Sequence, residues 1–282
     1  MDSLIECKKV FNTMVNHAIS YFKANNIHAA ILGISGGIDS TVVAYIFNEV
    51  ERKLNHNGYP FRLIGISMPT ETTDKDEFRI SELVGHAFCP NNFRVLDITQ
   101  EAQSITIPYV DASNEWTDRF RIGNVKSRLR MIHLYDLAKA YRGVVLGTDN
   151  YTEFMLGYST IGGDGLFDYC PIQYLWKSEI YELANCFREI EKDRENWEKV
   201  HALDESIKIP PQAGLGITKT DMDEIQAPNY WVVDSILKCI VSNEEFDDGI
   251  DLEVKERILD RVLKNEYKKN LPIVIERESL IN

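Results

Sequence analysis

A chain of 282 residues with 44% hydrophobic and 27% charged side chains carries enough apolar material for one sizeable core, which excludes disordered and fibrous classes. Its 31 Lys and Arg against 44 Asp and Glu leave a formal net charge of −13, a field that repels polyanions and argues against RNA or DNA as substrate. The same field repels nucleotides, so a nucleotide site here must neutralise its ligand locally, with a divalent cation, backbone N–H groups and a few placed Lys and Arg.

Along the chain, apolar residues spaced as one helix face from Leu4 to Phe22 predict an N-terminal helix. Short apolar runs follow at Ala29–Ile34, Leu63–Ser67, Phe93–Leu96 and Val144–Leu146, each bounded by polar or turn residues as buried strands are. Between them lie helical patterns at Asp39–Leu54, Lys75–Ala87 and Val125–Tyr141. This alternation predicts an α/β fold with a doubly wound parallel sheet, covered on both faces. Beyond residue 171 the strand signals fade, and Leu252, Ile258, Leu259, Val262 and Leu263 mark one apolar helix face, so the C-terminal part, from about residue 190, is expected to be a helical addition to a single domain. No apolar run approaches the roughly 20 residues of a membrane span, and the N-terminus lacks a basic start followed by an apolar stretch; a cytoplasmic protein without membrane partners is expected. Cys7, Cys89, Cys170, Cys186 and Cys239 are scattered and never form a CxxC pair, which predicts reduced thiols. The six histidines show no metal-type spacing.

The chemistry concentrates at Ser35-Gly36-Gly37-Ile38-Asp39-Ser40, directly between a strand and a helix. Adjacent glycines let the backbone turn tightly and approach a ligand, and the helix that follows offers free N–H groups to a phosphate. No Gly-Lys-Ser/Thr follows, so this is not a Walker A loop. A carboxylate beside a phosphate cradle repels its ligand unless a cation lies between, which reads Asp39 as a Mg²⁺ ligand. The alternative is a glycine-rich turn with Asp39 or Ser40 as a plain helix cap.

Strand, SGGxDS and helix together resemble the pyrophosphate loop of ATP pyrophosphatases. Three further blocks, Gly123-Asn124-Val125-Lys126-Ser127-Arg128-Leu129-Arg130-Met131, Gly147-Thr148-Asp149-Asn150-Tyr151-Thr152-Glu153, and Gly157-Tyr158 through Gly162-Gly163-Asp164-Gly165 and Asp168 to Lys177, keep the order seen in NAD synthetases within that superfamily. The resemblance covers roughly residues 1 to 190 and implies a Rossmann-like fold of the adenine-nucleotide α-hydrolase kind. It implies that Ser35, Gly36, Gly37, Asp39 and Ser40 hold the pyrophosphate of ATP. Thr148 contacts ATP, Glu153 is a second Mg²⁺ carboxylate beside Asp39, and Lys177 reaches the phosphates; Asp39, Glu153 and Lys177 form the catalytic set. Asn124, Arg128, Asp164 and Lys268 bind the second substrate, deamido-NAD. From spacing alone, Arg128 and Arg130 read equally as a solvated helix face, Asp164 as a turn residue, Glu153 as a helix-start residue and Lys177 as surface.

The pattern has departures. Pro210-Pro211-Gln212-Ala213-Gly214 stands where the family carries a Pro-Thr-Ala-Asp type of segment, leaving Gln212 as a substitute oxygen donor. Ser67-Met68-Pro69 lacks the arginine that packs on adenine, and Tyr267-Lys268-Lys269 matches the family tail in part. The reaction the resemblance implies is adenylation of the deamido-NAD carboxylate by ATP, then displacement of AMP by ammonia, in a homodimer with shared sites. A fused amidotransferase has no room ahead of Ala29, so free ammonia is the expected nitrogen source. The competing readings are another amide-forming or tRNA-modifying ATP pyrophosphatase and a nucleotide-binding regulator without turnover.

Overall fold

The computed structural model describes residues 4–105, 115–211 and 220–275 apart from 245, 247 and 248, together with 277 and 279. Its elements, in chain order, are α1 (Leu4–Ala24), β1 (Ala29–Gly33), α2 (Ile38–His56), β2 (Arg62–Ser67), α3 (Lys75–Phe88), β3 (Phe93–Val95), α4 (Thr99–Ile105), α5 (Glu115–Tyr141), β4 (Gly143–Val145), α6 (Tyr151–Leu156), α7 (Lys177–Asp193), α8 (Trp197–Lys208), α9 (Asp221–Ile225), α10 (Tyr230–Ser242) and α11 (Leu252–Asn265), followed by a 3₁₀ turn at Glu266–Lys269.

The four strands are parallel and ordered β3-β2-β1-β4. From β1 the chain moves outward through β2 and β3, then returns to β4 on the other side of β1. Such a reversal leaves a crevice above the carboxyl ends of β1 and β4, where open α/β sheets bind ligands. Alternation along the strands sorts their side chains to two faces. Ala30 and Leu32 join Leu63, Val42, Phe47, Val84 and Leu183 in the main core under α1, α2, α3, α7 and α8. Ala29, Ile31, Ile64 and Val145 pack against Ala138 and Leu134 of α5. Burial on both faces is why these strands read as unbroken apolar runs.

The ends of the helices are set by side chains. Asp74 caps α3 by accepting from the N–H groups of Asp76 and Glu77, and Asn229 and Asp251 cap α10 and α11 in the same way. By contrast Gly37 heads α2 with no side-chain cap, which leaves the first N–H groups of that helix free.

The C-terminal helices divide between two cores: Ala202 and Leu203 of α8 lie in the main core, whereas α10 and α11 form a second core with Met155 and Leu156 of α6. One expectation changes. The thiols are not all free, because packing α1 against α7 brings Cys7 and Cys186 to a Cα–Cα distance of 6.6 Å and joins them in a disulfide, while Cys89, Cys170 and Cys239 take part in none. Sequence spacing exposes only local cysteine pairs; this one is created by helix packing. Among the described residues no helix is long and apolar enough to cross a membrane.

Candidate active site

A cavity of about 520 Å³ opens above the carboxyl ends of β1, β2 and β4. The loop after β1 enters it through Gly36 at φ +93°, where a Cβ would meet the Glu77 carbonyl at 2.4 Å. Only glycine lets the loop lie this close to α3. The Ser35 hydroxyl accepts from the Gly37 N–H at 3.2 Å and pairs with the Ser40 hydroxyl at 3.2 Å, while Ser40 and Thr41 donate to the Gly37 carbonyl. The turn is therefore held by its own hydroxyls, and the uncapped start of α2 faces the cavity as an anion cradle.

Beside the cradle lies a charged floor. Lys177, the first residue of α7 and only 2% exposed, donates from Nζ to Asp39 Oδ2 at 2.5 Å and to Glu153 Oε1 at 3.0 Å. Asn150 donates to Asp39 Oδ1 and closes a capping box with Glu153 at the start of α6. Burial disfavours the Lys177 ammonium, but Asp39, Glu153 and Asp221 outweigh it and hold its pKa well above the ordinary lysine value. Burial pushes Glu153 up to about 7 even against Lys177. Asp149 is held well above the usual carboxylate range by burial and then by Asp164, Glu153 and Asp39, and burial likewise raises Glu77 to about 7. Burial thus favours the neutral acid at Glu77, Asp149 and Glu153, while Lys177 keeps its charge.

The cavity is also lined by a polar junction between α5 and the loop after α6. Ser127 donates to Asp164 Oδ1 at 2.6 Å, the Thr160 N–H donates to the same oxygen, and the Thr160 hydroxyl donates to Asn124 Oδ1 at 2.9 Å. Lys268 donates to the carbonyls of Gly157 and Ser159 and also lines the cavity. It thus satisfies carbonyls left open at the end of α6 and faces the ligand space as well.

Ser35, Gly37, Asp39, Ser40, Asn124, Thr148, Glu153, Asp164, Lys177 and Lys268 all line this one cavity. Gly36 turns away beneath α3. Arg128 does not line it; the side chain is exposed and donates from Nε to the Ile161 carbonyl. Gln212 lies outside the described residues. Ser67 turns its hydroxyl to Ser81 at 2.7 Å, yet a guanidinium does stand at this edge, because Arg130 lines the cavity and donates to the Met68 carbonyl at 3.1 Å. Arg130 is therefore no solvated helix face. Glu77, Asp149 and Asp221 join the lining without any motif of their own. Asp149 lies within the Gly147–Glu153 block, and Asp221 arrives from a helix remote in sequence, held by the hydroxyls of Tyr158 and Tyr230 at 3.0 and 2.7 Å.

Could this site hold a divalent cation? Among the described residues no three His, Cys, Asp or Glu side chains converge as a metal cluster. Asp39 and Glu153 converge on Lys177 as a pair. Two carboxylates suit Mg²⁺, which keeps waters and takes its remaining oxygens from substrate phosphates.

A doubly wound parallel sheet with free helix N–H groups at its switch point, beside an acidic floor bridged by lysine, has the form of a nucleotide-binding protein. The family model for NAD synthase matches residues 10–272. The NH3-dependent NAD⁺ synthetase of Thermoplasma volcanium is 36% identical over 244 residues, 86% of this chain and 88% of the relative; that of Pyrococcus horikoshii is 31% identical over 96% of this chain and 97% of the relative. The chain belongs to the NAD synthase family. Among solved structures, an NH3-dependent NAD synthetase from Campylobacter jejuni matches with a TM-score of 0.69 at 25% identity, covering 98% of this chain and 100% of that one. An NMN synthetase from Francisella tularensis matches with a TM-score of 0.76 over 96% and 98% of the two chains, but at 22% identity this likeness bears on the fold alone.

Proposed function

We propose that the protein amidates deamido-NAD with ammonia at the expense of ATP, giving NAD, AMP and pyrophosphate. The observation that carries this reading is the convergence of four separate sequence blocks on one cavity, whose lining includes both the cradle and the Asn124–Thr160–Asp164 junction. A carboxylate resists ammonia because its leaving group would be oxide, so its oxygen must first become part of a phosphoester. The α2 N-terminus, Ser35 and Ser40 bind the pyrophosphate portion of ATP and stabilise the charge that develops as it departs. Lys177 follows that charge with an ammonium kept protonated by its carboxylate neighbours. Thr148 contacts ATP, while Asn124, Asp164 and Lys268 orient deamido-NAD. Asp39 and Glu153 would hold Mg²⁺, which when bound supplies charge neutralisation at the phosphates. The cavity wall excludes water from the activated acyl group.

The test is to supply deamido-NAD, ATP, Mg²⁺ and ammonium to the purified chain and measure NAD and AMP, with nicotinate mononucleotide and tRNA as alternative substrates. Equal amounts of NAD and AMP from deamido-NAD are expected, and glutamine alone should give none. ATP binding without turnover would leave the regulator reading, and turnover only with tRNA the tRNA-modifying one. The protein is further proposed to work in the cytoplasm as a homodimer whose sites are shared, with Arg128 serving the neighbouring subunit. Mixing inactive Asp39→Asn and Arg128→Ala subunits should then restore about a quarter of the sites, as half of the randomly formed dimers are hybrids with one intact site. Free exchange of subunits with no recovery rejects the shared site.

A further inference from the structure

We propose that Arg130 is a further catalytic residue, whose guanidinium takes an oxyanion of the reacting pair: the substrate carboxylate or the α-phosphoryl group it attacks. The inference rests on the amidation reading. Among the described residues four cations line the cavity, Arg130, Lys177, Arg261 and Lys268. Lys177 is paired with Asp39 and Glu153, and Arg261 with Glu224 at 2.9 Å. Lys268 donates to two carbonyls, those of Gly157 and Ser159. Arg130 has less than any of them. Its Nε donates to the Met68 carbonyl at 3.1 Å, and among the described residues it forms no other hydrogen bond and no ion pair. A carboxyl so placed would shed its charge by taking a proton, but a guanidinium stays protonated. Asp164 and Glu77 draw on Arg130 through space against the effect of burial. Yet Asp164 Oδ1 already accepts from the Ser127 hydroxyl and the Thr160 N–H, and burial favours the neutral acid at Glu77. The charge and the Nη hydrogens are therefore open to a ligand, and a planar fork of this kind matches a carboxylate or a phosphoryl group through paired N–H bonds.

The place of Arg130 in the fold points to the reacting groups. Asn124, Ser127, Arg130 and Leu134 follow one another along one face of α5, and all line the cavity. Asn124 and Ser127 belong to the junction with Thr160 and Asp164, whereas Leu134 lies beside Gly33 at the end of β1, 3.5 Å from where a Cβ would stand. At 1.5 Å per residue, Arg130 is about 4–5 Å along the helix from Ser127 and about 6 Å from Leu134. Its anchor, Met68, directly follows β2, the hydrogen-bonded neighbour of β1. The guanidinium is thus tied one strand spacing, about 5 Å, from the strand that leads into the cradle. Between a deamido-NAD junction and a pyrophosphate cradle lie the two groups that react. There a lone pair of the carboxylate forms the new bond to the α-phosphorus as the bond to pyrophosphate breaks, and that bond's electron pair leaves on the pyrophosphate. Carboxylate and phosphoryl oxygens repel each other on approach, and a fixed guanidinium beside them offsets the repulsion.

The test compares Arg130→Gln, which keeps an N–H for the Met68 carbonyl but no charge, with Arg130→Lys, which keeps the charge. Exchange of labelled pyrophosphate into ATP is followed with deamido-NAD and Mg²⁺ and no ammonium, and NAD formation is followed as each substrate is varied. In Arg130→Gln exchange should fall by roughly a hundredfold or more, the loss typical of one donor removed from a charged transition state, while the KM for ammonium stays near native. A raised KM for deamido-NAD then identifies the carboxylate as the partner, and a raised KM for ATP the phosphoryl group. Arg130→Lys should exchange at least about tenfold faster than Arg130→Gln, as a charge-assisted contact is partly restored. Near-native exchange in Arg130→Gln overturns the assignment. So do equal rates in the two variants at unchanged melting temperature, which would leave Arg130 as a brace for the Met68 carbonyl. If the Gln variant fails to fold, Arg130→Ala with added methylguanidinium carries the comparison: restored exchange supports the role, and no restoration overturns it. Absence of exchange in the native protein shows instead that the amidation reading fails, and the assignment falls with it.

Discussion

Lys177 heads α7, a position that from sequence alone reads as ordinary surface, yet its ammonium is buried between Asp39 and Glu153. Nothing in its spacing announced this; the partners lie on α2 and α6 and meet it only when the sheet is wound. The cradle was legible, because two glycines between an apolar strand and a helix permit few geometries. Gly36 provides the sharpest test of it. With φ at +93° and α3 backbone at 2.4 Å from any added Cβ, Gly36→Ala should cost about 1–3 kcal/mol and abolish ATP binding, read by urea midpoint and calorimetry. Glu77, whose carbonyl sets that limit, gives a pH signature. Burial first, then Asp74, raises its pKa from 4.5 to about 7. A raised folded pKa means its contribution to stability is complete below pH 4.5 and lost as pH rises through about 7. Glu77→Gln should therefore flatten the loss of ligand-free stability across that window and exceed the native protein at pH 8 by on the order of 3 kcal/mol, measured by denaturant titration at several pH values.

Among elements, periodicity placed α1, α2, α3 and all four strands to within a few residues, because each is apolar on the faces the sheet dictates. It did not assign α8 to the main core or reveal what the C-terminal layer does for the site. That layer's contribution runs through Asp234 on α10, which is 1% exposed. Its carboxylate accepts from the Thr152 hydroxyl on α6 at 2.5 Å and from the Ser178 N–H on α7 at 2.8 Å, while Thr152 Oγ1 accepts from the Lys177 N–H at 2.9 Å. One side chain thus ties together the two helices whose starts carry Glu153 and Lys177. An asparagine cannot accept on both sides, so Asp234→Asn should lower turnover by roughly tenfold to a hundredfold through misplacement of these groups, well below its melting temperature. Thr152→Ser should keep near-native kinetics, and Thr152→Val should reproduce the loss. Equal rates in Thr152→Ser and Thr152→Val would show that the link is structural only.

At the scale of the molecule, a net charge of −13 and a cavity lined by Asp39, Glu77, Asp149, Glu153, Asp164 and Asp221 belong to a protein that handles anionic nucleotides. On the proposed function, the backbone cradle, Lys177 and Lys268 are the groups that would resolve that conflict locally. The Cys7–Cys186 disulfide spans 179 residues of sequence, and this has a consequence of a topological sort. Residues 7 to 186, with every strand and the whole cradle, form a closed covalent loop, from which the chain beyond 186 hangs as a tail. A single peptide bond cut anywhere within the loop leaves one molecule of unchanged mass on a gel without reductant and two pieces with it. A cut in the tail ahead of α10 sheds α10 and α11 under either condition, so the order in which a protease opens the two parts can be read from the gel alone.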